Sequence, residues 1–151
     1  MGKLHDDLKR LDACPDAQKW AKDYKTLSAA WAVCGRADWM LWLIGKTDTS
    51  TAWSEDRKPL VLCACEIART ALPYTTDPRV LACIETTEAW CRGEAIEQQV
   101  RDAARAAAYA AYAADAAYAA DAAYAADAAA ALKQSADIVR KHFPKPPRIK
   151  S

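Results

Sequence analysis

The stretch from Ala103 to Ala131, AARAAAYAAYAADAAYAADAAYAADAAAA, decides the fold class of this chain. Of its 29 residues 21 are Ala, and the unit Ala-Ala-Tyr-Ala-Ala-Asp occurs three times in succession. Because Ala is the strongest helix former, this stretch predicts a helix. The chain has no Gly or Pro between Ala95 and His142. We therefore expect one continuous helix there, about 70 Å long at a rise of about 1.5 Å per residue.

The repeat leaves the middle of this helix without an apolar face, because residues three apart spiral around a helix of 3.6 residues per turn. Apolar stripes return only at its two ends. A straight helix would separate Val100 from Val139 by about 58 Å, which is more than a small core spans. A kinked helix and a solvated stalk without a selected role are alternatives. The sequence favours a homodimer through the long helices, with contacts at Tyr112, Tyr118, Tyr124, Leu132, Val139 and Phe143.

The first 94 residues predict a bundle of about five to six short helices. Pro15 and Pro78 suit first helical positions, Thr26 and Asp77 suit N-caps, and Gly45 and Gly93 suit helix ends. The run Leu60–Leu72 is apolar nearly all round, which is typical of a buried central helix. The predicted helices are Leu4–Asp12, Pro15–Asp23, Leu27–Val33, Arg36–Ile44, a helix that starts at Ser54 and contains the apolar run Leu60–Leu72, and Pro78–Arg92.

The sequence thus predicts an all-α fold in three parts. Residues 1–94 form the helical bundle, and residues 95–143 form the long Ala-rich C-terminal helix, which packs on the bundle and extends beyond it. Residues 144–151 are expected to be a disordered basic tail, because Pro144, Pro146 and Pro147 end the helix.

Composition bounds the possible functions. The 21 basic and 20 acidic residues nearly balance, so nucleic-acid binding is not expected. The longest strongly apolar runs, 39–44 and 60–65, are far shorter than the roughly 20 residues of a membrane span. The polar N-terminus does not resemble a secretory signal, so we expect a cytoplasmic protein whose six cysteines are buried reduced thiols.

No catalytic group, metal site or cofactor is expected. The only histidines, His5 and His142, lie at opposite ends of the sequence, and no Cys-x-x-Cys motif occurs. Neither a nucleophile with its base nor a carboxylate pair with a nearby His is visible.

Charged residues embedded in apolar helices are the natural candidates for a site, because a buried charge needs a partner. They indicate either a polar pocket or an internal ion-pair network, in which Glu66 and Arg69 could pair one turn apart. Trp and Arg also dominate protein-binding hot spots. The three Trp candidates fit a core better than an interface. The candidate binding residues are Arg36, Asp38, Trp42, Trp53, Arg69, Arg79 and Trp90.

Four motifs carry a resemblance to a known family. They are Arg36-Ala-Asp-Trp-Met-Leu-Trp-Leu, Cys65-Glu-Ile-Ala-Arg-Thr-Ala-Leu-Pro73, Asp77-Pro-Arg79 and Ile84-Glu-Thr-Thr-Glu-Ala-Trp90-Cys-Arg-Gly-Glu94, followed by an Ala-rich helix. Over about residues 13–114 the chain resembles the immunity-protein group of bacterial polymorphic toxin systems, which also occurs in phage and prophage genomes. The resemblance implies a non-enzymatic cytoplasmic protein that binds and neutralises a protein toxin or effector. The Tyr/Asp repeat departs from the His-bearing helices of more typical members.

Two other functions are alternatives. The chain could be a phage anti-defence protein, which blocks a nuclease complex or sequesters a signalling nucleotide between Arg36, Arg69 and Arg79. It could also be a structural helical oligomerisation protein. A bound nucleotide in a native mass spectrum would favour sequestration, and an adjacent toxin gene would favour immunity.

Overall fold

The structure, a computed structural model, describes residues 2–118 and 124–150, except for the side chains of Tyr74 and of residues 109–128. These residues form eight α-helices and two short 3-10 turns, Glu55–Arg57 and Leu72–Tyr74, and they contain no strand. The all-α prediction is thereby confirmed for the described part of the chain. The helices are α1 Lys3–Arg10, α2 Pro15–Ala21, α3 Leu27–Val33, α4 Ala37–Thr47, α5 Lys58–Arg69, α6 Pro78–Cys91, α7 Glu97–Tyr118 and α8 Tyr124–His142.

The chain divides into two compact units. Unit 1 contains Met1–Thr49 and Leu132–Ser151, and unit 2 contains Ser50–Ala131. This division differs from the predicted bundle of residues 1–94 with a separate helix of residues 95–143. The physical reason is that Ser135, Ala136 and Val139 of α8 are buried and Arg140 bonds to the end of α3, so this half of α8 completes a core that the first 49 residues begin.

Local signals in unit 1 act as the sequence predicted at two helix starts. Pro15 is the first residue of α2, and the Thr26 hydroxyl accepts a hydrogen bond from the Ala29 N–H at 3.2 Å to cap α3. The end of α4 was predicted wrongly, because the helix runs through Gly45 to Thr47. Nothing lies within 4 Å of a Cβ added to Gly45, so this glycine serves neither a turn nor a close approach.

The C-terminal half of α8 closes unit 1. Ala136 and Val139 are fully buried, and the Trp31 indole donates a hydrogen bond to the Phe143 carbonyl at 2.9 Å. The Arg140 guanidinium donates to the carbonyls of Trp31 at 3.1 Å and Cys34 at 2.6 Å. These carbonyls lie at the C-terminal end of α3, where intrahelical partners are missing. Unit 1 is therefore held together by contacts between residues more than 100 positions apart.

The burial of Val139 corrects one argument for a homodimer. Leu132, Val139 and Phe143 were expected to need a second chain, because a single core in residues 1–94 lay out of their reach. Val139 instead has no exposed surface, and Leu132 and Phe143 are half-buried, within their own chain. The side chains of Tyr112, Tyr118 and Tyr124, the other residues assigned to oligomerisation, lie outside the described residues.

The last residues differ from the predicted disordered tail. Residues 144–150 carry no helix, but they pack in unit 1, where Arg10 donates a hydrogen bond to the Lys150 carbonyl at 2.7 Å. Three prolines in this segment fix their own φ angles, which stiffens it without hydrogen bonds of its own.

Unit 2 is built from α5, α6 and α7, with α6 packed against both of the others. Asp77 caps α6 by accepting a hydrogen bond from the Arg79 N–H at 3.0 Å, and Pro78 is the first helical residue, as predicted. Gly93 ends the helix with a φ of 77°, and the Glu94 N–H donates to the Ala89 carbonyl at 2.8 Å. This arrangement is a Schellman motif, in which the left-handed residue favours glycine.

The helix α5 is less buried than its sequence predicted. Only Cys63 and Cys65 are buried, and the Leu62 side chain is 39% exposed. The reason is that α6 and the preceding 3-10 turn cover only part of the surface of α5. Leu62 therefore stays partly exposed although the helix is apolar nearly all round. The sequence pattern alone does not show which of its apolar residues are buried.

The predicted continuous helix from Ala95 to His142 is described only in part. Its N-terminal part corresponds to α7 and its C-terminal part to α8, and residues 119–123 lie outside the described residues. In the described part of the chain, no helix has both the length and the apolarity needed to cross a membrane.

Candidate protein-binding surface

Unit 1 carries a group of four partly exposed aromatic side chains and one arginine, here called the tryptophan patch. It consists of Trp20, Tyr24, Arg36, Trp39 and Trp42. Trp20 lies in the last turn of α2, and its ring centroid is 4.6 Å from that of Tyr24 and 5.8 Å from that of Trp39. Trp39 and Trp42 lie three residues apart on α4, which places them on one face of that helix. Tilted ring pairs at these distances are favourable arrangements of aromatic side chains.

The arginine of the patch is fixed by two neighbours. Its guanidinium lies 4.4 Å from the centre of the Trp39 ring, and it donates to both carboxylate oxygens of Asp38 at 2.8 and 2.6 Å. The hydrogen bonds from Arg36 lower the pKa of Asp38, and those to Asp38 raise the pKa of Arg36. The pair therefore stays ionised, and its planar guanidinium covers an aromatic face.

An apolar pocket of about 50 Å³ lies beside the patch, and Trp20, Trp39 and Trp42 form part of its wall. The side chains around it are all apolar, so a water in the pocket would find few hydrogen-bond partners, and such a site favours an apolar group. The Trp42 side chain is 37% exposed, which is high for a Trp beside a core. The other lining residues are Leu4, Leu8, Ala13, Ala17, Ala21, Leu27, Ala30, Trp31, Cys34, Met40 and Leu43.

Two of the predicted tryptophans contact each other in unit 2. Trp53 and Trp90 make an edge-to-face contact with ring centroids 5.2 Å apart. Trp90 is only 9% exposed, which fits the core interpretation, whereas Trp53 is half-buried. Lys58 lies 5.3 Å from the Trp90 ring centre, and Arg101 lies 5.5 Å from that of Trp53, so a cation lies over each ring.

The remaining predicted arginines form structural ion pairs. Arg69 donates to both carboxylate oxygens of Glu88 at 2.7 Å, which joins α5 to α6. Arg79 donates to both oxygens of Asp77, its own helix cap, at 2.9 and 2.6 Å.

The same kind of ion pairing weakens the case for a nucleotide pocket between Arg36, Arg69 and Arg79. Each of the three guanidinium groups already binds a carboxylate, so none is free to bind a phosphate without first breaking an ion pair.

The cysteines are all free thiols, but only three are fully buried. Burial raises the pKa of Cys63 and of Cys65 to about 11 and also raises that of Cys34, so these thiols are poor nucleophiles at neutral pH. Cys14 is exposed, against expectation, because it lies at the N-cap of α2. Among the described residues, no three His, Cys, Asp or Glu side chains are placed to hold a metal ion.

Sequence reasoning found Arg36, Asp38 and Trp42 but missed Trp20, Tyr24 and Trp39. One signal was available for Trp39, because it lies one turn before Trp42 in the same helix. No local signal pairs Trp20 with Trp39, since their contact depends on how α2 packs against α4.

Comparison with known proteins gives no further guide. No protein-family model, no curated protein and no solved structure matches this chain. The resemblance to immunity proteins stays a prediction from the four quoted motifs.

Proposed function

We propose that this chain is a non-enzymatic, cytoplasmic protein-binding inhibitor, an immunity protein that neutralises a protein toxin or effector. The observation that carries the proposal is the exposed Trp42, which lies one turn after Trp39, the ring that Arg36 covers, and lines the apolar pocket of unit 1. Trp, Tyr and Arg are the residues most enriched at hot spots, where a few side chains supply most of the binding free energy.

The tryptophan patch suits this role because its side chains are already ordered. Trp20, Tyr24 and Trp39 hold one another in place, and Asp38 holds Arg36. Side chains fixed before binding lose little conformational entropy when a partner covers them. Because Trp42 is 37% exposed, a partner that covers it buries further aromatic surface.

The experiment compares capture of a partner by three forms of the full chain. The unchanged chain, Trp42→Ala and the control Ile96→Ala are immobilised and exposed to host lysate. Ile96 is 65% exposed and lies outside the patch, so its loss removes exposed apolar surface without touching the proposed site. We expect Trp42→Ala to weaken binding of the captured protein by about 2 kcal/mol or more, which is roughly thirtyfold, and Ile96→Ala to leave it unchanged.

A growth assay decides whether the captured protein is a toxin. Co-expression with the unchanged chain should restore growth, and Trp42→Ala should restore it less well. Equal rescue by Trp42→Ala and by Ile96→Ala would refute the role of the patch, and a captured protein without toxicity would refute the inhibitor function.

We also propose the finer architecture and assembly that the sequence suggested, namely one long helix over residues 95–143 and a homodimer through it. The Ala-rich sequence that contains α7 and α8 has no helix breaker, and small side chains let helices approach closely. Light scattering at several protein concentrations tests the dimer, and a mass that stays at one chain, 16.5 kDa, would refute it.

A further inference from the structure

Unit 1 contains a second feature, an open groove of about 760 Å³, here called the tail groove. One wall is the start of α1, the second is the connection into α3 together with α3 itself, and the third is the C-terminal segment 144–149. Its volume is in the range of about 300–1,000 Å³ that is typical of ligand sites. Residues of the tryptophan patch do not line it.

The charges of the groove are predominantly basic. Lys3, Lys25, Lys145 and Arg148 line it, and Asp7 is its single acidic residue. Asp7 is already paired with Lys3 at 3.2 Å and with Arg10 at 3.1 Å, and these hydrogen bonds lower its pKa.

Three of the four basic residues have no compensating charge. Within residues 2–118 and 124–150, Lys25, Lys145 and Arg148 make no ion pair. The groove therefore has an excess of positive charge, whereas the chain as a whole is nearly neutral at +1.

Apolar residues also line the groove, so it suits an anion that carries apolar groups as well as charges. Leu4, Leu27 and Ile149 line it together with three prolines of the C-terminal segment. Its basic residues come from three separate segments of chain, so they suit a ligand with spaced charges rather than one compact phosphate. No aromatic side chain lines the groove, so it lacks the stacking platform that single-stranded nucleic acids use.

The C-terminal segment 144–149, which forms the third wall, is held at both ends. The groove is therefore part of the folded structure of unit 1. Arg10 holds the end of the segment through the Lys150 carbonyl at 2.7 Å, and the Trp31 indole holds its beginning through the Phe143 carbonyl at 2.9 Å. Between these anchors the prolines fix the backbone.

We propose that the tail groove binds an extended acidic segment of the protein partner, with Lys25, Lys145 and Arg148 contacting its carboxylates and the prolines contacting its apolar side chains. This inference rests on the proposed function, because it supplies a second contact for the same partner. A basic groove also steers an acidic partner during encounter, so its contribution falls as salt screens the charges.

The test selects peptides from a random dodecapeptide library displayed on phage, with the full chain as bait. The groove variant is Lys145→Glu with Arg148→Glu. The control variant, Lys19→Glu with Lys22→Glu, makes the same change of charge in the last turn and at the C-cap of α2, outside the groove. We expect selected peptides to be rich in Asp and Glu, to bind the groove variant at least tenfold more weakly, and to bind the control within about twofold. Near-UV circular dichroism confirms that both variants fold.

Several outcomes would overturn the proposal. They are peptides without an excess of acidic residues, equal binding to the groove variant, and tighter binding of a thymidine oligonucleotide than of the selected peptides. If the partner captured through Trp42 binds the groove variant as well as the unchanged chain, the groove inference fails while the inhibitor function stands. If the captured protein proves not to be toxic but acidic peptides need the groove, the inhibitor function fails while binding of acidic segments by the groove stands.

Discussion

Arg140 is the residue that most directly ties the end of the chain to its beginning. It donates to two carbonyls at the end of α3 and pairs with Asp137 one turn earlier in α8, at 2.6 Å. Hydrogen bonds from a charged donor are worth more than neutral ones, and carbonyls left without a donor cost free energy. One side chain thus stabilises both a helix end and a contact between distant segments.

We predict that Arg140→Met lowers the free energy of unfolding by about 1–2 kcal/mol, since water replaces only part of the lost donors. Urea titration followed by tryptophan fluorescence measures it. The control is Arg105→Met, because the Arg105 side chain is 71% exposed and its ion pair with Asp102 is 3.9 Å long. We expect Arg105→Met to lower the free energy of unfolding by no more than about 0.5 kcal/mol. Equal effects of the two substitutions would contradict the role of Arg140.

Asp77 gives a pH dependence whose sign follows from its contacts. Its hydrogen bonds from the side chain and backbone of Arg79 lower its pKa from 3.8 to about 2. A carboxylate with a depressed pKa in the folded state stabilises the fold above its unfolded pKa, and this stabilisation is lost as pH falls from about 4 to 2. Asp77→Asn keeps an N-cap acceptor but cannot titrate. We predict that it reduces the loss of helix between pH 4 and 2, measured by circular dichroism at 222 nm. An unchanged acid transition would contradict this assignment.

At the scale of elements, the helix starts were the most predictable part of the fold. Pro15, Thr26 and Asp77 act locally, because each places its cap or its fixed φ within a few residues. Partners in other elements could not be predicted. Neither the pairing of Arg69 with Glu88 nor the contact of Trp20 with Trp39 leaves a periodic trace in the sequence.

The sequence assigned both Gly45 and Gly93 to helix ends, but only Gly93 ends a helix in the structure. Substitution of the two glycines is therefore expected to have opposite effects. Gly93 has a φ of 77°, so Gly93→Ala is expected to destabilise by about 1–2 kcal/mol through left-handed strain. Gly45 lies inside α4 with space for a Cβ, so Gly45→Ala is expected to stabilise by about 0.5–1 kcal/mol. Thermal unfolding of both variants tests this. Destabilisation by Gly45→Ala would show that α4 ends where the sequence suggested.

At the scale of the whole molecule, the sequence predicted an all-α chain but not its two cores. The prediction treated Leu132–Phe143 as the far end of a helix beyond the reach of the N-terminal helices. Hydrophobic pattern alone shows that Val139 needs burial, but not which surface buries it. In the structure, Val139 and Ala136 have no exposed surface and belong to unit 1, which also carries both the tryptophan patch and the tail groove.

The closure of unit 1 by its own C-terminal segment is therefore the claim on which the rest depends. The most direct measurement compares indole N–H signals in nitrogen-15 NMR spectra of the full chain and of a chain ending at Ala131. Of the six tryptophans, Trp20, Trp31, Trp39 and Trp42 belong to unit 1, and Trp53 and Trp90 belong to unit 2. We predict that the Trp31 indole, hydrogen-bonded to the Phe143 carbonyl, is protected from hydrogen exchange in the full chain and loses this protection in the shortened one, while Trp53 and Trp90 keep their positions. A Trp31 signal that is equally protected in both chains would contradict the account.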